Sequence, residues 1–137
     1  MTPINSNEKV AQLSLELEKE INQHKNAARF KSAITQLLFW ISISASALAG
    51  LNLATKYFDV TGVSILATIP GIVLIINNTF KYSAQARWHK LKQKKFLGLR
   101  NQLEYEGQSV DVVSKSLTAL EAELEDLRVE MELPKSK

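Results

Sequence analysis

Residues 32–55 read SAITQLLFWISISASALAGLNLAT and residues 60–80 read VTGVSILATIPGIVLIINNTF, and neither stretch carries a charge. Lys31 and Lys56 bracket the first, Asp59 and Lys81 the second. A helix needs about 20 consecutive apolar residues to cross the hydrocarbon core of a bilayer, and both stretches reach that length. Core helices of soluble domains are typically shorter and keep a polar face. Joined only by residues 56–59, the two stretches predict a transmembrane helical hairpin.

Their flanks predict its orientation. Lys25, Arg29 and Lys31 precede the first stretch, and Lys81, Arg87, Lys90, Lys92, Lys94 and Lys95 follow the second. The loop Lys56-Tyr57-Phe58-Asp59 holds one positive charge. Lys and Arg gather on the cytoplasmic side, so both termini are expected there. Tyr57, Phe58 and Tyr82 sit where interfacial aromatics belong, whereas Trp40 lies too deep. The first stretch starts about 30 residues in, behind a charged segment, and is too long for a signal-peptide core. It is expected to persist as an anchor.

Composition narrows the chemistry. The 137 residues average a mean hydropathy of -0.08, because two greasy segments offset three charged ones. The net charge is +3, and there is no cysteine for a disulfide or a thiolate metal site. His24 and His89 stand 65 positions apart, so a structural zinc site is not expected. No Gly-rich phosphate loop, H-E-x-x-H or nucleophile elbow occurs. Neither enzyme activity nor a cofactor is expected. Without carboxylates in either stretch, and with one hairpin, a proton pump or inverted-repeat transporter is not expected either.

Outside the hairpin the chain reads as three charged helices. Residues 1–7 form a flexible N-terminus, with Ser6 a candidate N-cap and Glu8 in the first turn. Residues 8–31 place Val10, Leu13, Leu17, Ile21 and Ala28 on one face of an amphipathic helix, continuous with the first stretch because no Gly or Pro intervenes. The second stretch is expected to run on into a basic helix, residues 81–106, burying Ala84, Trp88, Leu91, Leu99 and Leu103. Gly107-Gln108-Ser109 supplies a turn, with Ser109 as the next N-cap. In residues 109–133, Val110, Val113, Leu117, Leu120, Leu124, Leu127 and Met131 alternate steps of three and four, a coiled-coil seam. Pro134 ends it, leaving a tail, residues 134–137.

The three charged helices are each roughly 36–39 Å long at 1.5 Å per residue. The expected fold is therefore all-α: a transmembrane hairpin continuing into a cytoplasmic antiparallel three-helix or coiled-coil bundle. A fold-back at 107 would bring 121 near 94, 125 near 90 and 128 near 87. Glu121, Glu123, Glu125 and Asp126 would then face Arg87, Lys90, Lys92 and Lys94. The heptads leave open whether they pair within one chain or between chains.

Several motifs have two readings each. Ser42, Ser46 and Gly50, at i, i+4 and i+8, permit close helix approach in lipid, either to the second stretch or to a neighbouring protomer. Thr61, Ser64, Thr68, Gly71 and Asn78 form a polar stripe that should avoid lipid, by bonding to the first stretch or by lining a conduit in an oligomer. Asn77 and Asn78 would form its cytoplasmic mouth. Pro70-Gly71 is a static kink or a gating hinge. The basic membrane-proximal patch Arg87, Lys90, Lys92, Lys94 and Lys95, with Trp88 and Phe96, suits a bundle interface or anionic headgroups. No nucleic-acid motif accompanies it, so no nucleic-acid partner is expected.

Arg29 to Leu38 entering the first stretch, Ala84-x-x-x-Trp88 leaving the second, and Leu99-x-x-x-Leu103-x-Tyr105-Glu106 carry a resemblance covering about residues 8–133. The chain resembles the SLATT-type two-transmembrane-helix bacterial effector domains, found beside nucleotide second-messenger synthases and other antiphage modules. The resemblance implies a homo-oligomeric protein of the bacterial inner membrane that breaches the bilayer when infection is sensed. It implies membrane lipids, further copies of the chain and a sensor or second-messenger-synthase as partners, and no catalytic residues. The alternative expectation is a membrane-anchored scaffold or adaptor that recruits a soluble partner through its cytoplasmic helices.

Overall fold

The computed structural model describes residues 6–131 and 133, with backbone only at Ser6, Leu53 and Ala54. Four helices follow in order: α1 (Ser6–Thr55), α2 (Val60–Phe80), α3 (Tyr82–Glu104) and α4 (Val110–Glu130). No strand occurs among the described residues. The chain divides into two compact units, one from Met1–Arg29 and Ala84–Lys137, the other Phe30–Ser83. The expected flexible start, Pro134 and the tail lie outside the described residues, apart from Ser6 and Asn7, which already belong to α1. As expected, α1 is continuous from the amphipathic segment into the first apolar stretch.

In the first unit, the N-terminal segment of α1 packs with α3 and α4. Leu17, Ile21, Phe96, Leu99, Leu103, Val113, Leu120 and Leu124 form its buried core, with Val10, Leu13, Val110, Leu117 and Leu127 packed around them. The segment runs antiparallel to α3: Ser14 donates to Glu104, and Arg100 Nη2 lies 3.9 Å from Glu18. The Arg100 Nε–Glu104 contact, 2.9 Å, completes this exposed network. The Ser14 hydroxyl and then Arg100 hold the Glu104 carboxyl below its ordinary value. At least six heptad positions of α4 pack on this core, so the seam is satisfied within one chain.

Two expectations here need correction. Leu91 is exposed, and Ala84 is only half-buried; Ala86 and Phe96 are buried instead. The core face of α3 is centred on 88, 92, 96, 99 and 103, about 100° around the helix from Leu91 at 100° per residue. Trp88 and Phe96 are therefore core residues, unavailable to lipid headgroups. Across α3 and α4, Lys95 meets Glu123 at 3.5 Å and the Trp88 indole donates to the Leu124 carbonyl at 3.3 Å. Exposed ion pairs contribute at most about 1 kcal/mol, whereas each buried Leu or Phe contributes roughly 1.5–3 kcal/mol.

Helix ends follow local rules. Gly107 adopts φ +66°, beyond the end of α3, and a Cβ there would meet nothing within 4 Å. Gly107→Ala is therefore expected to cost about 1 kcal/mol from the left-handed conformation alone, read as a shift in the urea midpoint, while Gly107→Asn is tolerated better. Ser109 occupies the α4 N-cap position, but its hydroxyl makes no capping bond; its carbonyl receives the amides of Val112 and Val113. The α4 helix closes at Glu130, with Met131 as its C-cap.

The second unit holds the two apolar stretches side by side. Thr35, Leu38 and Ser42 of α1 face Asn77, Val73 and Pro70 of α2 across a shallow cleft of about 190 Å³. The intervening loop is built around Asn52. Its side chain is buried; Nδ2 donates to the Phe58 carbonyl at 3.1 Å and Oδ1 accepts from the Phe58 amide. Asp59 caps α2, its carboxylate accepting from the Gly62 amide at 2.8 Å. The expected run-on from α2 into the basic helix is interrupted. Lys81 takes a left-handed conformation, φ 49°, and its amide bonds to the Asn77 carbonyl, ending α2 one residue before α3 begins.

Candidate functional site

Two helices are long and apolar enough to cross a membrane, and almost none of either apolar window is buried. Leu37, Phe39, Trp40, Ile43, Ile65, Ile72, Leu74 and Ile75 are all at least 44% exposed. Buried Leu, Ile and Phe stabilise a soluble core because they leave water. Here they stay outside the fold, so the apolar surface requires another medium or another molecule.

On that surface α2 places its polar residues to one side. Thr61, Ser64, Thr68, Gly71 and Asn78 are exposed. Their arc is centred roughly 140° around the helix from the Pro70, Val73, Leu74 and Asn77 side that lines the cleft, at 100° per residue. The hydroxyls of Ser64 and Thr68 donate to the carbonyls of Val60 and Ile65, at 2.8 and 2.7 Å. Of the two readings of the stripe, bonding to α1 finds no contact at these residues. Asn77 stands apart from the other five: it lines the cleft, and its Oδ1 is buried without a hydrogen-bond partner.

The small-residue motif divides in the same way. Ser42 lines the cleft, but Ser46 is exposed, and a Cβ on Gly50 would meet nothing within 4 Å. Steps of four drift about 40° each around a helix. The α1 face toward α2 instead follows Leu38, Ser42, Ala45 and Asn52, of which Ala45 and Asn52 are buried. Pro70 lies inside α2, which continues as one helix through it; Gly71 beside it is in open space.

In the first unit the basic patch is only partly a surface. Lys92 lies over the rings of Trp88 and Phe96, 5.4 and 5.2 Å from their centroids, while Lys94 and Lys95 line an open cleft of about 570 Å³ with Leu91, Gln102, Ser116 and Glu123.

The residues that sequence reasoning passed over are the two histidines. Their separation in sequence is misleading, because α1 and α3 bring His24 Nδ1 within 3.0 Å of His89 Nδ1, with the rings stacked at 5.2 Å. His24 is 5% exposed. Trp88 and Phe96 meet it edge-on, at 5.8 and 5.9 Å. Glu20 Oε2 lies 3.3 Å from its Nε2, yet without hydrogen-bond geometry, so that nitrogen has no hydrogen-bond partner. Burial, and then the positive charge of Lys92, lower the His24 pKa to about 4. A signal was present: Leu17, Ile21, His24 and Ala28 continue the three- and four-residue steps of the α1 core face, with His24 in an apolar slot.

No protein-family model, curated protein or solved structure matches this chain.

Proposed function

We propose that the chain is a homo-oligomeric effector of the bacterial inner membrane that forms a pore or disrupts the bilayer, with both termini cytoplasmic, in antiphage defence. The observation that carries this reading is the pair of apolar helices whose greasy surface stays outside the fold. On one of them the polar stripe points away from the partner helix. The excess of Lys and Arg outside the hairpin loop supports the orientation, and the resemblance to SLATT-type effectors supports the defence role. One hairpin encloses no water, so the conduit requires several copies, with Thr61, Ser64, Thr68, Gly71 and Asn78 turned inward. Each charged segment then belongs to a cytoplasmic antiparallel helical bundle. Because the heptad seam is filled within the chain, assembly falls to the apolar helices and their small residues Ser46 and Gly50.

The test is current across planar bilayers containing the purified protein. Discrete conductance steps are expected. A well-folded sample that remains monomeric in every lipid composition would defeat the reading.

One observation favours the scaffold alternative: the open α3–α4 cleft, with Lys94, Lys95 and Leu91 at its rim. An adaptor would hold an acidic, partly apolar segment there. Lys94→Glu with Lys95→Glu would then abolish co-purification of a soluble partner and leave conductance absent in both forms.

A further inference from the structure

We propose that the open cleft between α3 and α4 is a self-association surface: a second copy of the chain seats its own α3–α4 face there. The two-fold axis runs along the helices, and four helices close around it. The inference concerns the first unit alone and stands whether or not the chain conducts.

Two lines of residues build the face. Leu91, Lys95, Gly98 and Gln102 on α3, and Val112, Ser116, Ala119 and Glu123 on α4, both step by four, three and four. At 100° per residue each line spans about 60° of its helix, roughly a quarter turn from the core positions. Each is a second heptad seam, and it faces outward: Leu91, Lys95, Gly98, Val112, Ala119 and Glu123 are exposed. The cleft between the lines, about 570 Å³, has the buried Leu99 and Leu120 in its wall, and small residues, Gly98, Ser116 and Ala119, along its middle. A packed helix sits about 8–10 Å from its neighbour, which small side chains permit. Gly98 is the informative one. A glycine inside a helix weakens it relative to alanine, and a Cβ on Gly98 would meet nothing within 4 Å. The folded chain does not require that glycine; a helix lying in the cleft does.

Charge selects the occupant. The α3 edge of the cleft is basic, with Lys94 and Lys95, and the α4 edge is acidic, with Glu123. Asp126 and Glu130 extend the acidic edge on the same side of α4. A segment of one sign would match one edge and oppose the other. The occupant needs a basic and an acidic edge of its own, at matching heights, and the α3–α4 face has both. The two helices run antiparallel with Lys95 meeting Glu123 at 3.5 Å, which puts Gln102 level with Ser116. A two-fold axis along the helices preserves height and exchanges edges. It sets Lys94 of each copy beside Glu123 of the other, and Tyr105, 81% exposed, beside Val112 of the other, 49% exposed. An axis across the helices would instead lay basic edge on basic edge. Half of the eight seam positions are polar, which costs stability and fixes register, so the pairing is specific rather than tight.

The test is crosslinking of the full chain in detergent micelles, where the lack of native cysteine leaves single introduced thiols unambiguous. Two differently tagged chains, Gln102→Cys and Ser116→Cys, are mixed and treated with a short thiol-to-thiol crosslinker. A mixed dimer is expected. Leu91→Cys with Ser116→Cys, displaced by about 16 Å along the helices at 1.5 Å per residue, should give none. Lys94→Glu with Lys95→Glu in both chains should abolish the crosslink, and so should Glu123→Lys in both. Placing the lysine reversals on the Gln102→Cys chain and Glu123→Lys on the Ser116→Cys chain should restore it, because each edge then faces the opposite charge. Gly98→Leu, which fills the cleft, should lose the crosslink while circular dichroism keeps the full helical signal. A crosslink indifferent to charge reversal, or as strong from the displaced pair as from the level one, would overturn the proposal. Folded chains that never crosslink would also overturn it and return the cleft to a soluble partner.

Discussion

Ser64→Leu, Thr68→Leu and Asn78→Leu in one chain are expected to remove conductance while leaving the oligomer intact. The three side chains lie on the exposed arc of α2, and the hydroxyls of Ser64 and Thr68 bond only to their own helix turn. Replacing them costs no described contact with α1. It does convert a wettable strip into an apolar one, and a narrow apolar constriction excludes water and ions. Single-channel recording should therefore fall from discrete steps to baseline, while crosslinking in the same vesicles yields the wild-type ladder. Asn77→Leu is the matched control. It lies on the cleft side, with a buried carbonyl oxygen that has no hydrogen-bond partner, so its loss should leave conductance unchanged and stability equal or improved. Wild-type current from the triple variant would remove the stripe from the conduit. Loss of the oligomer would instead make the stripe a packing surface between copies.

The parts of the fold legible in the sequence are those governed by length and period. Two uncharged stretches, a seam of seven apolar residues and a turn at Gly107-Gln108-Ser109 predict three continuous helical runs, 8–55, 60–106 and 109–133, whose outer ends lie close to those of α1, α2, α3 and α4. The parts that were not legible depend on contacts between segments distant in the chain. Leu91 and Phe96 are equally apolar, and only the partners supplied by α1 and α4 decide which is covered. Lys81 carries no breaker residue, yet its backbone turns left-handed and separates α2 from α3. His24 occupies a core position where an apolar residue was expected, and its partner lies on another helix. The stripe on α2 is visible as a periodicity. Which side of the helix it occupies relative to α1 required coordinates.

Phe96→Ala is expected to destabilise the first unit by about 3–5 kcal/mol, the usual cost of deleting a fully buried aromatic ring and leaving a cavity. Phe96 is 1% exposed and belongs to the core shared by all three segments. Small domains are stable by only about 5–15 kcal/mol in total, so the variant should become protease-sensitive at low urea. Leu91→Ala, on the exposed side of the same helix, should shift the midpoint by about 0.5 kcal/mol or less. Equal losses at the two positions would restore the face read from sequence. The Phe96 ring also meets His24 edge-on at 5.9 Å, and its removal should admit water to the imidazole. Desolvation is the largest cause of the lowered His24 pKa, so hydration should raise it toward the ordinary value. A histidine held at about 4 costs the fold stability as pH falls below about 6.5, so this acid loss should be smaller in Phe96→Ala than in wild type, on top of a lower baseline. Because the two rings touch, the effects of Phe96→Ala and His24→Phe should not add. A strictly additive pair would mean that the two rings do not share one core.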